Sequence, residues 1–79
     1  MRRYFFHLEN GSVLEDQEGV DLPDLEAAKC AAVQLLAEIL CDQPGRVLAT
    51  ETYQVTCTDE DGLMLFKVQV VVTLAPAAI

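Results

Sequence analysis

The chain has few basic side chains. Lysine and arginine number five against thirteen aspartates and glutamates, which gives a formal net charge of −8 at pH 7. Proteins that bind nucleic acid or anionic membrane surfaces use clustered Lys and Arg to neutralise phosphates. The five bases of this chain are dispersed and form no basic stripe. We therefore expect neither a nucleic acid nor a membrane as a partner.

Histidine and serine occur once each, as His7 and Ser12. A single histidine excludes HExxH and other multi-histidine metal sites, and Ser12 lacks the GxSxG context of a nucleophile. A phosphate-binding loop and a dinucleotide-binding glycine pattern are also missing. His7 as a general base would need a partner and a pocket, and one strand residue indicates neither. The sequence thus predicts no catalytic, cofactor-binding or metal-binding residues, no cofactor and no enzymatic activity.

Long apolar runs are absent as well. The C-terminal VQVVVTLAPAAI is too short to span a bilayer and is interrupted by Gln69 and a proline. The apolar run after Arg2 and Arg3 stops at His7, which is too early for a signal peptide. These features lead us to expect a cytoplasmic location.

The three cysteines are an odd number without metal-ligand spacing. Cys30 and Cys41 fall on one predicted helix, about 16 Å apart at a rise of 1.5 Å per residue, which is too far for a disulfide. Free thiols in a reducing compartment are therefore expected.

What is present is one domain over residues 1–79, with strands on either side of a single helix. Residues 3–9 read as the first strand. Asn10-Gly11 is a strong hairpin signal, because a type I′ turn needs positive φ at both central positions. Residues 12–16 are expected to return as the second strand.

The register of this first hairpin stays open between two alternatives. A two-residue loop sets Leu8 against Val13. A three-residue loop with Gly11 in a bulge sets Phe6 against Leu14. We favour the second slightly, because it keeps apolar groups together better.

A helix is predicted from about Asp24 to Cys41. Asp24 is one candidate N-cap; Asp21 is the other, with Val20 and Leu25 as a hydrophobic staple. Pro44-Gly45 ends the segment. Apolar residues at 3.6-residue spacing form one core-facing stripe: Leu25, Ala28, Ala32, Leu35, Leu36, Ile39 and Leu40.

The second hairpin has the clearest alternation. Tyr53, Val55 and Cys57 point inward on its first strand. The inward row expected on its second strand is Met64, Phe66, Val68, Val70 and Val72, which alternate with Leu65, Lys67, Gln69 and Val71. An Asp61-Gly62 turn or a four-residue loop keeps the apolar rows together, whereas a three-residue loop without a compensating bulge would mispair every row. The expected inward pairs are Tyr53 with Val70, Val55 with Val68 and Cys57 with Phe66, and the outward pairs are Gln54 with Gln69 and Thr56 with Lys67. The fold predicted from this pattern is α+β, ββαββ, with a four-stranded antiparallel sheet and one helix packed on one face.

Two acidic stretches invite functional interpretations. The run from Glu15 to Glu26 contains six acids and no base; it is either a cation or partner site, or a solvated loop whose negative charge suits the N-terminus of a helix. The second interpretation is the simpler one. DEDG at 59–62 resembles the start of a calcium loop, but Val70 stands where an EF-hand needs glutamate, so a hairpin turn is expected.

Two surfaces are candidates for self-association. The hydrophobic share of 52% is high for so short a chain, which suggests apolar surface left for a second copy. Exposed sheet edges offer a further route to pairing. The candidate residues on the open face of the sheet are Phe5, His7, Leu65, Lys67 and Val71. Those on the outer face of the helix are Cys30, Gln34, Ala37 and Cys41.

RYFFHLENG followed by EGVDLPDLEAA resembles a family of short bacterial proteins, the domain-of-unknown-function family 6894. The resemblance implies a small α+β cytoplasmic domain and supplies no catalytic residues. A weaker likeness, in architecture alone, is to antitoxin-like domains of the HicB type. The matching positions are Arg3, Tyr4, Phe5, Phe6 and His7, then Glu18, Gly19, Leu22, Pro23, Asp24, Leu25, Ala27 and Ala28.

We therefore expect a small non-enzymatic protein-interaction module that self-associates as a homodimer. The alternative is an antitoxin-like or regulatory subunit that binds a basic protein partner through its acidic loop.

Overall fold

The computed structural model describes residues 1–45, 53–73 and 75–78. Within these residues lie the helix that packs on the sheet, an antiparallel sheet and a short 3₁₀-helix. In chain order the elements are β1 Arg2–Glu9, β2 Val13–Leu14, β3 Val20–Leu22, α1 Leu25–Asp42, β4 Tyr53–Thr58, β5 Met64–Val70 and the 3₁₀-helix Pro76–Ala78.

The sheet order is β2-β1-β4-β5, and β3 also pairs with β1. All these pairings are antiparallel. The α+β class and the antiparallel sheet are thus confirmed, but the sheet has five strands rather than four. The extra strand arises because the chain that returns along β1 is broken into β2 and β3, which pair with opposite ends of β1.

The first hairpin adopts neither of the two expected registers. Leu8 lies opposite Leu14 and Glu9 opposite Val13, so the three residues 10–12 form the connection. Gly11 takes φ of 97° there, a conformation that favours glycine. The predicted second strand over 12–16 is only two residues long, because beyond Leu14 the Asp16 carboxylate, rather than a main-chain carbonyl, accepts the hydrogen bond from the Phe6 N–H of β1.

The helix begins where the Asp24 alternative places it. The Asp24 carboxylate accepts a hydrogen bond from the Ala27 N–H at 2.8 Å, which satisfies one of the free N–H groups of the first turn. The helix buries Ala28, Ala32 and Leu36 completely or nearly so. Two small residues in this row allow the helix axis to approach the sheet closely.

The second hairpin confirms every predicted pair of residues. Val55 lies opposite Val68, Cys57 opposite Phe66 and Thr56 opposite Lys67. The connection is nevertheless a three-residue loop over 60–62, closed by a 3.1 Å bond from the Asp59 N–H to the Leu63 carbonyl. The register shifts between Cys57 and Thr58.

The extra residue on β5 is Leu65, since Thr58 pairs with Met64 while Cys57 pairs with Phe66. This bulge compensates for the odd loop and preserves the apolar rows. It also reverses the alternation before it: Met64 was expected to point inward and is 61% exposed.

The core lies between the helix and one face of the sheet. Tyr4, Val55 and Cys57 are its largest fully buried side chains. Phe66 and Val68 pack against the core clusters and are half-buried. At the two ends of the predicted helix stripe, Leu25 and Leu40 remain exposed. Among the described residues, no helix has the length and apolar character needed to cross a membrane.

Candidate functional site on the open sheet face and the β5 edge

The helix covers one face of the sheet, and a shallow cleft lies on the other. Its volume is about 450 Å³, within the range of small-ligand sites. Strands β1 and β4 supply its floor and the 59–62 turn supplies one side. The lining residues are Phe5, His7, Glu9, Val13, Glu15, Thr56, Thr58, Asp59, Glu60 and Gly62.

His7 is held in the cleft by two hydrogen bonds. Its Nδ1 accepts from the Asp16 N–H at 3.1 Å, and its Nε2 lies 2.9 Å from the Thr58 Oγ1. Because Nδ1 is an acceptor, the ring proton of the neutral imidazole is assigned to Nε2, which donates to Thr58. Both ring nitrogens therefore link β1 to neighbouring segments.

Asp16 joins the break between β2 and β3 to β1. Its carboxylate accepts hydrogen bonds from the main-chain N–H groups of Phe6, Glu18 and Gly19 at 3.0–3.1 Å. Burial raises the pKa of Asp16, but the bonds from Gly19, Phe6 and Glu18, with a smaller contribution from His7, outweigh it and lower the pKa below its ordinary value. The carboxylate thus replaces a strand partner.

Arg3 and Gly19 lie on the other side of the same break. The Arg3 Nη1 donates to the Glu18 carbonyl at 2.6 Å, and its guanidinium also pairs with the Asp21 carboxylate at 3.1 Å. Gly19 has φ of 73°, and a Cβ there would lie 2.9 Å from the Arg3 Cγ and from the Phe5 Cε2. The RYFFH and EG segments therefore meet and interlock.

A second polar network crosses three strands of the sheet. The Gln54 side chain donates to the Glu9 carboxylate, and the Gln69 side chain donates to the Gln54 Oε1 at 2.6 Å. Gln54 is 8% exposed, so this ladder satisfies a polar side chain that would otherwise be costly to bury.

Three of the six acids of the 15–26 run serve the local structure. Asp16 binds main-chain N–H groups, Asp21 pairs with Arg3, and Asp24 caps the helix. Within the residues that the structure describes, no group of three His, Cys, Asp or Glu side chains is arranged to hold a metal ion. The two glutamates that line or border the cleft without such a role are Glu15 and Glu60, both exposed.

Two of the five candidate residues of the open face, His7 and Lys67, share one cross-strand row, because each of them pairs with Thr56. Phe5 and His7 are half-buried in the cleft, and Lys67 is exposed on β5. Val71 follows β5 and is 75% exposed. Leu65 was expected beside them but packs against the core cluster of Tyr4, Ala28 and Cys57, because the bulge turns it away from the open face.

The four candidates on the helix, Cys30, Gln34, Ala37 and Cys41, are all exposed, as the helical spacing predicted. All three cysteines are free thiols. Cys57 is the buried one, and desolvation raises its pKa to about 11.

The outer edge of β5 collects exposed apolar side chains at both ends. We call residues 63–72 the β5 edge. Among residues 1–45, 53–73 and 75–78, β5 pairs with β4 alone. The exposed apolar residues of this edge are Leu63 at 65%, Met64 at 61%, Val71 at 75% and Val72 at 58%.

Sequence reasoning did not find the roles of Asp16, Gly19 and Thr58. For the first two a signal existed: Asp followed by Glu-Gly within three residues is typical of a turn in which the Asp side chain accepts main-chain N–H groups. Thr58 comes from a distant strand and left no local signal.

The first strand and the segment that leads into the helix interlock, and the helix packs on one face of the antiparallel sheet. This arrangement is a small α+β fold. The chain belongs to the family described as a domain of unknown function, DUF6894, whose model matches residues 3–71. A search of curated proteins and a search of solved structures each found no match.

Proposed function

We propose that this protein is a small non-enzymatic interaction module that self-associates as a homodimer. The observation that carries the proposal is the β5 edge, where four large apolar side chains stand exposed beside a strand with an available edge. Exposed apolar side chains at both ends of the strand give another protein apolar surface to cover, and an available strand edge is a template for pairing with another chain.

The polar groups of the cleft support a binding role rather than a catalytic one. His7 is engaged by Thr58 and Asp16, and Glu9 by Gln54. A general base must reach a substrate proton, and these groups are occupied in holding strands together.

Light scattering coupled to size exclusion tests self-association, with the purified chain loaded over a 100-fold concentration range. We expect the mass to move from 8.7 kDa towards twice that value as concentration rises. A strict monomer at the highest concentration would overturn the proposal.

A second candidate is a regulatory or antitoxin-like subunit that binds a basic protein through its acidic surface. The observation in its favour is that Glu15 and Glu60 line an open cleft, where neighbouring acids would attract Lys and Arg side chains.

Co-purification from the native host tests this candidate. The double variant Glu15→Gln/Glu60→Gln should lose a salt-sensitive basic partner. Glu38→Gln/Asp42→Asn, which removes the same charge from the helix, should retain it. Equal recovery with both variants would dismiss the cleft as the binding surface.

A further inference from the structure

We propose that two copies of the chain pair antiparallel through their β5 edges, with Val68 opposite Val68 of the second copy, so that the two sheets become one. The inference rests on the proposed self-association and names the surface that performs it.

The main-chain N–H and C=O groups of alternate β5 residues point towards its outer edge. Phe6 donates its N–H towards the β2–β3 side, so the next residue, His7, directs its main-chain groups towards β4, because alternate residues face opposite edges. His7 pairs with Thr56, and the residue before Thr56, Val55, pairs with Val68. Carried across these two pairs, the alternation makes the main-chain groups of Val68 face β4. Lys67 and Gln69 therefore present their N–H and C=O groups to the outer edge.

One register of the two β5 strands suits their side chains. Registers that keep the same face together set Lys67 of one copy against Lys67, Gln69 or Val71 of the other. The first places like charges opposite each other, which is unfavourable. The third sets the ammonium against a valine. Only the register with Lys67 opposite Gln69 avoids both.

In this register the apolar residues also meet. Phe66 lies opposite Val70 on the helix side. The bulge at Leu65 then advances the register by one residue, as it does against β4. The exposed pairs that result are Met64 with Val71 and Leu63 with Val72.

The distribution of charge along the chain also favours the β5 edge. The chain carries a net charge of −8, yet all thirteen acids lie at or before Asp61, and Lys67 is the one charged residue after it. Two copies repel each other least where neither presents a carboxylate. The β5 edge is therefore the electrostatically compatible face for a second copy, whereas a basic partner would be drawn elsewhere.

The position of the helix leaves the apolar row of β5 partly uncovered. Helix α1 packs on β3 and β4, which leaves Phe66, Val68 and Val70 half-buried. The same row from the second copy would continue the apolar layer beside them.

Disulfide trapping tests the register. In a Cys30→Ser/Cys41→Ser background, Met64→Cys protein is mixed with Val71→Cys protein under mild oxidation. We expect a disulfide-linked dimer joining positions 64 and 71. Mixing Met64→Cys with Val13→Cys, which is 60% exposed on β2, is the matched control and should give at least tenfold less product. Equal yields would overturn the register.

A charge insertion tests the surface independently. Val71→Lys should raise the dimer dissociation constant at least tenfold, with an unchanged circular dichroism spectrum. Ala37→Lys, on the outer helix face, should leave the constant unchanged. If Ala37→Lys alone dissociates the dimer, this inference fails and the proposed self-association stands; if wild type is a monomer, both fail.

Discussion

The Asp16 carboxylate holds the break between β2 and β3 to the main chain of β1. Three main-chain N–H groups bind its carboxylate, and its own N–H binds His7. An asparagine at this position would carry no charge and only one acceptor oxygen, so at least one of these main-chain donors would lose its partner, which costs roughly 1–3 kcal/mol.

Asp16→Asn should therefore reduce the free energy of unfolding by about 1–3 kcal/mol, measured by urea denaturation at pH 7. Glu38→Gln, an exposed helix residue, is the control and should change it by less than about 0.5 kcal/mol. Equal losses would show that the Asp16 bonds add no stability.

The same carboxylate predicts a pH dependence. The pKa of Asp16 is lower in the folded protein than its ordinary value of 3.8. Its contribution is then fully present above the unfolded pKa and is lost as pH falls through the folded pKa. Urea midpoints between pH 7 and pH 2 should show a smaller acid loss for Asp16→Asn than for wild type; parallel curves would contradict this.

Gly19 provides a second prediction at the residue scale. Gly19→Ala places a Cβ at positive φ and 2.9 Å from two side-chain carbons. Gly62→Ala meets a similar φ of 83° in open space, so it isolates the backbone cost, about 1–2 kcal/mol. In urea titrations Gly19→Ala should be the more destabilised of the two. Equal destabilisation would mean that the loop yields to the clash.

The cysteines differ by burial. Cys30 and Cys41 are exposed, whereas Cys57 is buried with a pKa near 11, and only the thiolate reacts. Two thiols should react quickly with Ellman's reagent in the native protein and the third only on unfolding. Cys57→Ser should leave the fast phase unchanged. A third fast thiol would contradict the buried placement.

At the scale of elements, local patterns predicted the helix and the second hairpin well. The period of 3.6 residues located α1, and Asp24 proved to be its N-cap. Alternation predicted the rows of β4 and β5. The Leu65 bulge was not predicted, because it depends on contacts between strands far apart in the chain. The β2–β3 break was not predicted either, although the segment from Asp16 to Gly19 carries the local signal of a turn.

The cap gives a prediction for the helix. Asp24→Ala removes the acceptor of the Ala27 N–H and should cost about 0.5–2 kcal/mol in unfolding free energy, measured by urea denaturation followed by circular dichroism. Asp24→Ser, which also caps, should recover most of this loss. Failure of serine to recover stability would indicate a role other than capping.

At the scale of the whole molecule, the helix covers one face of the sheet, and within the part of the chain that the structure describes β5 pairs with β4 alone, so its outer edge is available for pairing. This arrangement makes stability depend on concentration if two copies pair, since association stabilises the folded form by mass action. The melting temperature of the wild type should rise over a 100-fold increase in concentration, while that of Val71→Lys stays constant. A constant melting temperature for both would argue against association.

The sequence by itself determined the class of fold, the helix and the residue pairs of the second hairpin, because those features follow from periodicity and from contacts a few residues apart. Only the tertiary structure decided the strand order, the break that Asp16 fills, the position of Leu65 and the edge left open. These depend on strands far apart in the chain meeting across the sheet, and neither alternation nor helical spacing specifies which strand lies beside which.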